Sequence, residues 1–242
     1  GKDNIMIKVP ATKEGALSIE QLIAKGININ ATLIFSLSHY ESVALAYIRG
    51  LEQFLRKGGD LRRVASVASL FVSRIDTLVD KRINSLIQLE KNPEKKKDLE
   101  ELKGKAAIAN SKKVYQKFKE IFSRENFKKL ERKGAKVQRP LWASTSTKDA
   151  AYSDVKYVEE LIGPDTVNTV PQVTLDAFRN HGKPKLSLEE NVGVVEDVLY
   201  RLEGHGIDLE EVCETLQREG VEAFEKSFQN LLSTLKGKMK ME

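Results

Sequence analysis

A single cysteine, Cys213, is all that the 242 residues contain, so no internal disulfide can form. A chain without disulfides fits a reducing cytoplasm, where we expect it to reside. Cys213 itself reads as a small helix-packing residue. Long apolar runs are also missing. The longest uncharged stretch, residues 26–40, is too short to span a bilayer and holds two Asn, one Thr and two Ser. The opening residues do not read as a secretory signal, because no basic segment precedes a long apolar core. No Cys/His spacing suits zinc, and no aromatic-interleaved basic motif suits RNA. The three histidines, His39, His181 and His205, fit no catalytic pattern and read as surface or capping residues. Neither nucleic acid nor a membrane is expected as a partner.

Positive charge is present, but not as a binding stripe. The net charge is +5, and much of it lies between Lys91 and Lys136, as in "EKKK", "SKKVYQKFK" and "KKLERKGAK". Glu100, Glu101, Glu120, Glu125 and Glu131 are interleaved at helical spacing, which describes solvated helix faces. Hydrophobic residues at 40% and charged residues at 31% are ordinary for a globular chain of this length.

Strand and helix patterns alternate along the chain. Residues 4–9, 28–35, 64–72, 137–144 and 167–171 read as strands. Residues 13–25, 37–56, 74–89, 105–122, 124–133, 154–162 and 173–181 read as helices between and after them, with Asn92-Pro93 breaking one helical run. Repeated strand–helix units predict an α/β fold with a parallel sheet. The tail differs: 191–203, 208–219 and 220–236 read as helices without strands. In the last, Val221, Phe224, Phe228, Leu231, Leu232 and Leu235 form a stripe expected to pack into a core. We expect one domain over residues 1–242, with residues 185–242 as an all-helical extension.

Five such units could form an open doubly wound sheet or part of a barrel. The strand "NINATLIF" favours the barrel. Asn28, Asn30 and Thr32 share one face, and Ile29, Ala31, Leu33 and Phe35 the other. A sheet covered by helices on both faces should be apolar on both. The first strand follows the same rule, with Lys8 on its non-aliphatic side. Polar faces on neighbouring parallel strands describe the inside of a barrel near its C-terminal mouth. A lysine buried there is costly to keep charged, and its neutral amine can form a Schiff base with a carbonyl carbon. On spacing alone, a lysine snorkelling from a strand end to solvent remains open.

Longer stretches resolve that choice. "IMIKVPATKEG" followed by "AKGININATLIFSLSHYESVALAYIRGLE" closely resembles transaldolase, as do "VASLFVSRID", "GKAAIANSKKVYQKFKEIF", "RPLWASTSTKD", "YSDVKYVEELIGPDTVNTVP" and "TLDAFRNHG". The likeness covers residues 4–181 in the family's order. It implies a (β/α)8 TIM-type barrel, of which this chain supplies strands four to eight and C-terminal helices. It also implies transfer of a dihydroxyacetone unit from sedoheptulose 7-phosphate to glyceraldehyde 3-phosphate through a lysine Schiff base. By the resemblance, Lys8 is that lysine; Asn30 and Thr32 hold the intermediate and the catalytic water; Ser69, Phe71 and Arg74 belong to the next strand's segment, the arginine holding the sugar phosphate; and Ser144 lies near the site. No metal or organic cofactor is expected, because the lysine is the electron sink. Sugar phosphates are the expected small-molecule partners, and a homodimer and a separate N-terminal fragment are left open as protein partners.

Two departures stand out. Where many transaldolases carry a second phosphate-binding arginine, this chain reads Ala143-Ser144-Thr145-Ser146-Thr147-Lys148, so hydroxyls, backbone amides and Lys148 are expected to replace it. The family's first-strand aspartate and third-strand glutamate have no counterpart, and Asp3 does not fill either place; we expect a natural N-terminal part carrying them. A related fructose 6-phosphate aldolase is disfavoured because that group carries tyrosine where Phe71 stands. A non-catalytic C-terminal fragment of the enzyme is the other alternative.

Overall fold

The computed structural model describes residues 4–239; Asp3 lies outside them. Five strands, β1 (Ile7–Pro10), β2 (Ile29–Ile34), β3 (Ser66–Phe71), β4 (Arg139–Ala143) and β5 (Val167–Asn168), form one sheet in chain order. Every neighbouring pair is parallel. A doubly wound sheet reverses its strand order at a switch point. This order never reverses, so the sheet is an arc of the kind that (β/α)8 barrels are built from.

The connections are helical. Helix α1 (Lys13–Ile23) follows β1, α2 (Leu37–Arg56) follows β2, and α3 (Ser73–Leu89) follows β3. Before β4 come three more: α4 (Pro93–Leu102), α5 (Ala106–Ser123) and α6 (Glu125–Glu131). The single turn α7 (Lys156–Glu159) precedes β5, and α8 (Gln172–His181), α9 (Val192–Gly204) and α10 (Leu209–Met239) complete the chain. Local chemistry explains the starts. Thr12 Oγ1 accepts from Gly15 N (3.0 Å) at the head of α1, and Ser36 with His39 forms a capping box on α2. Asn92-Pro93 ends one helical run and also opens α4, because Asn92 Oδ1 accepts from Glu94 N (2.8 Å) and proline suits a first helical turn.

The two sheet faces differ. The outer one joins Ile29, Ala31, Ala68, Leu70 and Trp142 to the helices in one continuous core. The inner one holds a small cluster, Val67, Leu141 and Ala143, flanked by Met6, Phe71 and Val167, with no helical residue in it. Alternation along each strand produces this split.

The tail departs from expectation in two ways. Residues 208–219 and 220–236 are predicted as separate helices, but α10 runs unbroken through Gly220. A Cβ there would lie 2.8 Å from Leu33 Cδ2, so the glycine marks a close approach to β2 rather than a stop. The stripe predicted to be core is exposed: Phe228 and Leu231 are 61% and 55% accessible among the described residues. Past Val221 the helix leaves the body that buries its first half, Val212, Cys213 and Leu216.

Helices α1 and α2 touch most closely at Gly50, where an added Cβ would lie 2.7 Å from Ile23 Cβ and 2.8 Å from the Glu20 carbonyl oxygen. Neither neighbour can yield cheaply. Gly50→Ala should therefore lower the urea midpoint, since overpacking costs about 1–3 kcal/mol and outweighs a helix-propensity gain of about 1 kcal/mol. An unchanged or raised midpoint would contradict this packing.

Candidate active site

Register decides which side chains meet. Lys8 pairs with Asn30, and Asn30 with Val67. Partners across parallel strands point the same way, so Lys8, Asn30, Thr32, Ser69 and Phe71 share the inner face. Ser69 Oγ donates to Asn30 Oδ1 at 2.7 Å. Thr32 is fully buried, and its Oγ1 has no hydrogen-bond partner among the described residues. An orphaned hydroxyl on a polar inner face marks a place for a water or a substrate oxygen.

The burial expected for Lys8 is absent from this chain. Among the described residues strand β1 has β2 as its only neighbour in the sheet, and Lys8 is exposed. So is Ile7, at 48%. An aromatic ring of the tail approaches the Lys8 amine: Nζ lies 5.9 Å from the centroid of Phe224 on α10. That part of α10 is held over the strand ends by Gln217, whose Nε2 donates to the carbonyls of Ala11 (3.1 Å) and Leu33 (3.0 Å).

The residues assigned to the phosphate lie at the rim. Arg74 is exposed in the first turn of α3, with Cζ 5.5 Å from the centroid of Phe71, whose ring packs 5.4 Å from that of Phe35. Ser144 follows β4 in the left-handed conformation, φ 57°. Its Oγ lies 2.9 Å from Ser73 Oγ, and its carbonyl accepts from Ser73 N at 3.0 Å. It thus turns toward the start of α3 rather than joining the strand-face group. Lys148 is exposed; its Nζ donates to Ser146 Oγ at 2.9 Å. Together with Asp76, Thr77 and Asp80 it lines a cleft of about 610 Å³ along α3.

Sequence reasoning missed what lies behind that cleft. Asp76 and Asp80 on α3 are buried. Asp76 accepts from Ala107 N (2.7 Å) and Tyr157 Oη (2.8 Å). Asp80 accepts from Gly104 N (2.9 Å) and Tyr152 Oη (2.7 Å). Lys156 Nζ lies 3.8 Å from Asp76, 3.8 Å from the Tyr152 ring centroid, and donates to the Gly104 carbonyl at 2.5 Å. Burial raises the Asp76 pKa to about 6 and lowers that of Lys156. For both groups desolvation outweighs their mutual attraction. The four-residue spacing of the aspartates was the only signal, and it resembles a solvated face.

The histidines follow the expected pattern. His39, with Glu210 and Glu214, forms the one group of metal-type ligands found among the described residues. His39 Nδ1 accepts from the backbone N–H groups of Phe35 and Ser36 (3.4 Å each), so the neutral ring carries its proton on Nε2, which faces Glu214 Oε1 at 3.1 Å. A metal would need that nitrogen's lone pair, so the trio is a helix cap tied to α10. His181 pairs with Asp154 (2.8 Å) and His205 with Asp98 (2.5 Å).

A family model described as Transaldolase/Fructose-6-phosphate aldolase matches residues 1–235. The chain is similar to a transaldolase of Trichodesmium erythraeum, 46% identical over 242 residues, covering 99% of this chain and 64% of that protein. It is likewise similar to a transaldolase of Saccharopolyspora erythraea, 45% identical over 236 residues, covering 97% and 62%. With that of Mycolicibacterium smegmatis it shares 42% identity over 239 residues, covering 98% and 62%. The chain thus spans less than two thirds of the length of these relatives.

Asp76 gives a test of the buried network by pH. Its folded pKa, about 6, lies above the ordinary 3.8, so the stabilisation from its bound proton is complete below the ordinary value and is lost as pH rises through 6. Relative to Asp76→Asn, the wild type should lose roughly 2 kcal/mol of unfolding free energy between pH 4 and 7. A difference that stays flat across that range would show that Asp76 is not held in a desolvated state.

Proposed function

Because the chain belongs to the transaldolase/fructose-6-phosphate aldolase family, we propose that it carries the Schiff-base lysine and phosphate contacts of a transaldolase, acting in the pentose phosphate pathway. The reaction moves a dihydroxyacetone unit from sedoheptulose 7-phosphate to glyceraldehyde 3-phosphate. One observation carries the reading: Lys8 and Asn30 are register partners, with Thr32 and Ser69 on the same inner face.

Lys8 Nζ, in its neutral form, attacks the ketose carbonyl carbon, and loss of water leaves an iminium. The adjacent carbon–carbon bond breaks. Its electron pair enters the iminium to give an enamine, and the neighbouring hydroxyl gives its proton to a base. That base is the family's aspartate, which has no counterpart in these residues. The enamine carbon then attacks the acceptor aldehyde, and water hydrolyses the new iminium to free Lys8. Asn30, whose Oδ1 is taken by Ser69, holds the intermediate with its amide hydrogens. Thr32, with its unpaired hydroxyl, holds the water. Arg74 binds the phosphate as a planar fork, with Lys148 and the hydroxyls after Ser144 completing the site beside Phe71.

The exposure of Lys8 favours a second reading for these residues on their own. With the inner face open to solvent, nothing shields an iminium at Lys8 from water, so these residues are inactive by themselves.

In the full-length protein, borohydride reduction with fructose 6-phosphate should add the sugar fragment's mass to Lys8, and Lys8→Met should abolish the adduct. An adduct on another lysine that survives Lys8→Met would overturn the assignment. Arg74→Ala should raise KM for phosphorylated donors by an amount corresponding to about 2 kcal/mol, while leaving adduct formation with free dihydroxyacetone intact. Equal losses with both donors would mean that Arg74 serves the fold and not the phosphate.

A further inference from the structure

Resting on that reading, we propose that a buried polar seam on α3, made of Ser73, Asp76 and Asp80, is a positioning device that fixes segment 144–157 and thereby aims Lys148, with the Ser146 hydroxyl it donates to, at the phosphate held by Arg74.

The three residues are spaced i, i+3 and i+7, so they form one stripe on the helix. Each takes one residue of the same segment. Ser73 meets Ser144 (2.9 Å), Asp76 meets Tyr157 (2.8 Å) and Asp80 meets Tyr152 (2.7 Å). Arg74 directly follows the first of them. The stripe that grips the segment and the residue that grips the phosphate therefore share the first two turns of one helix.

The carboxylates are themselves fixed from behind. Ala107 N and Gly104 N, at the start of α5, occupy their other oxygens. Gly104 permits this closeness. It lies at φ +68°, and a Cβ would come within 2.4 Å of Lys156 Nζ and 2.7 Å of Tyr152 Cζ. Lys156 supplies the positive charge between the two acids. An apolar stripe would hold two helices together at least as well, because buried charges are expensive. A polar stripe does something an apolar one cannot. A shift of the segment by one residue would leave buried carboxylate oxygens unpaired, so a single register is favoured.

The segment's other anchors lie near its two ends: Thr145 Oγ1 donates to Asn168 Oδ1 (2.9 Å), Asp154 pairs with His181 (2.8 Å) and Val155 is buried. Its one helix, α7, is a single turn, and Lys148, Asp149 and Ala150 are exposed. Ser144 sits in a backbone conformation that non-glycine residues adopt only when their surroundings enforce it.

The test uses the full-length enzyme. Tyr157→Phe and Tyr152→Phe remove one hydroxyl each and keep the rings, including the one beneath Lys156. Each should raise KM for a phosphorylated ketose, and Ki for inorganic phosphate as a competitor, on the order of tenfold. Turnover and borohydride trapping of free dihydroxyacetone at Lys8 should stay within about twofold. Should Tyr157→Phe fail to fold, Tyr152→Phe carries the same expectation from the more open end of the seam. An unchanged KM and Ki, or equal losses with phosphorylated and free donors, would overturn the positioning role. Failure of the unmodified enzyme to trap at Lys8 would instead overturn the function itself, so the two failures are distinguishable.

Discussion

Parallel pairing in register is the constraint on which the molecule depends. Side chains alternate along a strand, and register partners point the same way, so fixing Lys8 opposite Asn30 and Asn30 opposite Val67 fixes the whole inner face. A slip by one residue would turn Ile7 and Ile29 inward and put Lys8 and Asn30 among the helices. The outer core forbids that slip. Ile29, Ala31, Ala68, Leu70 and Trp142 are all nearly inaccessible on the helix side, and burying polar residues in their place would cost several kcal/mol. The apolar contacts that hold the sheet are thus on one face and the proposed chemistry on the other.

The register breaks once, between Ala31 and Ile34, where Leu33 adopts φ 55°. Thr32 and Leu33 lie within the break on the β3 side, while Thr32 keeps its register with Pro10 of β1 on the other. The break also turns the Leu33 carbonyl toward Gln217 and brings the Leu33 side chain against Gly220. Helix α10 is thereby tied to the ends of both β1 and β2, and two turns further on it carries the Phe224 ring to 5.9 Å from the Lys8 amine. A bulge that re-aims backbone beside a functional residue is a recurrent use of sheet irregularity.

Much of this was legible in the sequence because it rests on short-range periodicity. "NINATLIF" announces a two-faced strand, and Asn92-Pro93 announces a break between helices. What was not legible depends on distant partners. A glycine inside a helix costs about 1 kcal/mol relative to alanine, so Gly220 looked like a boundary until the approach to Leu33 gave it a reason. The stripe from Phe224 to Leu235 looked like core because amphipathicity reports that a face is apolar, and not what covers it. Strand β5, two residues long, is set by pairing with β4 more than by its own pattern. Asp76 and Asp80 drew no reading from the sequence, because their hydroxyl partners, Tyr157 and Tyr152, lie 81 and 72 residues further on.

These two kinds of polar group, the strand-face residues and the helix seam, do opposite things with burial. In the seam, desolvation is offset in part by a full set of donors: each aspartate has a backbone N–H on one oxygen and a tyrosine hydroxyl on the other. Such a network is rigid because any displacement leaves a charge unpaired. On the inner face, satisfaction is deliberately incomplete. Thr32 Oγ1 is buried with no partner among the described residues, and a buried hydroxyl left without one costs about 1–3 kcal/mol. The large outer core can bear that cost, and a bound water or substrate oxygen would relieve it. Rigid, satisfied polar groups outside the sheet therefore give shape, and unsatisfied ones inside it give affinity. A single helical turn, from Ser73 to Asp76 with Arg74 within it, is where the first can be transmitted to the second.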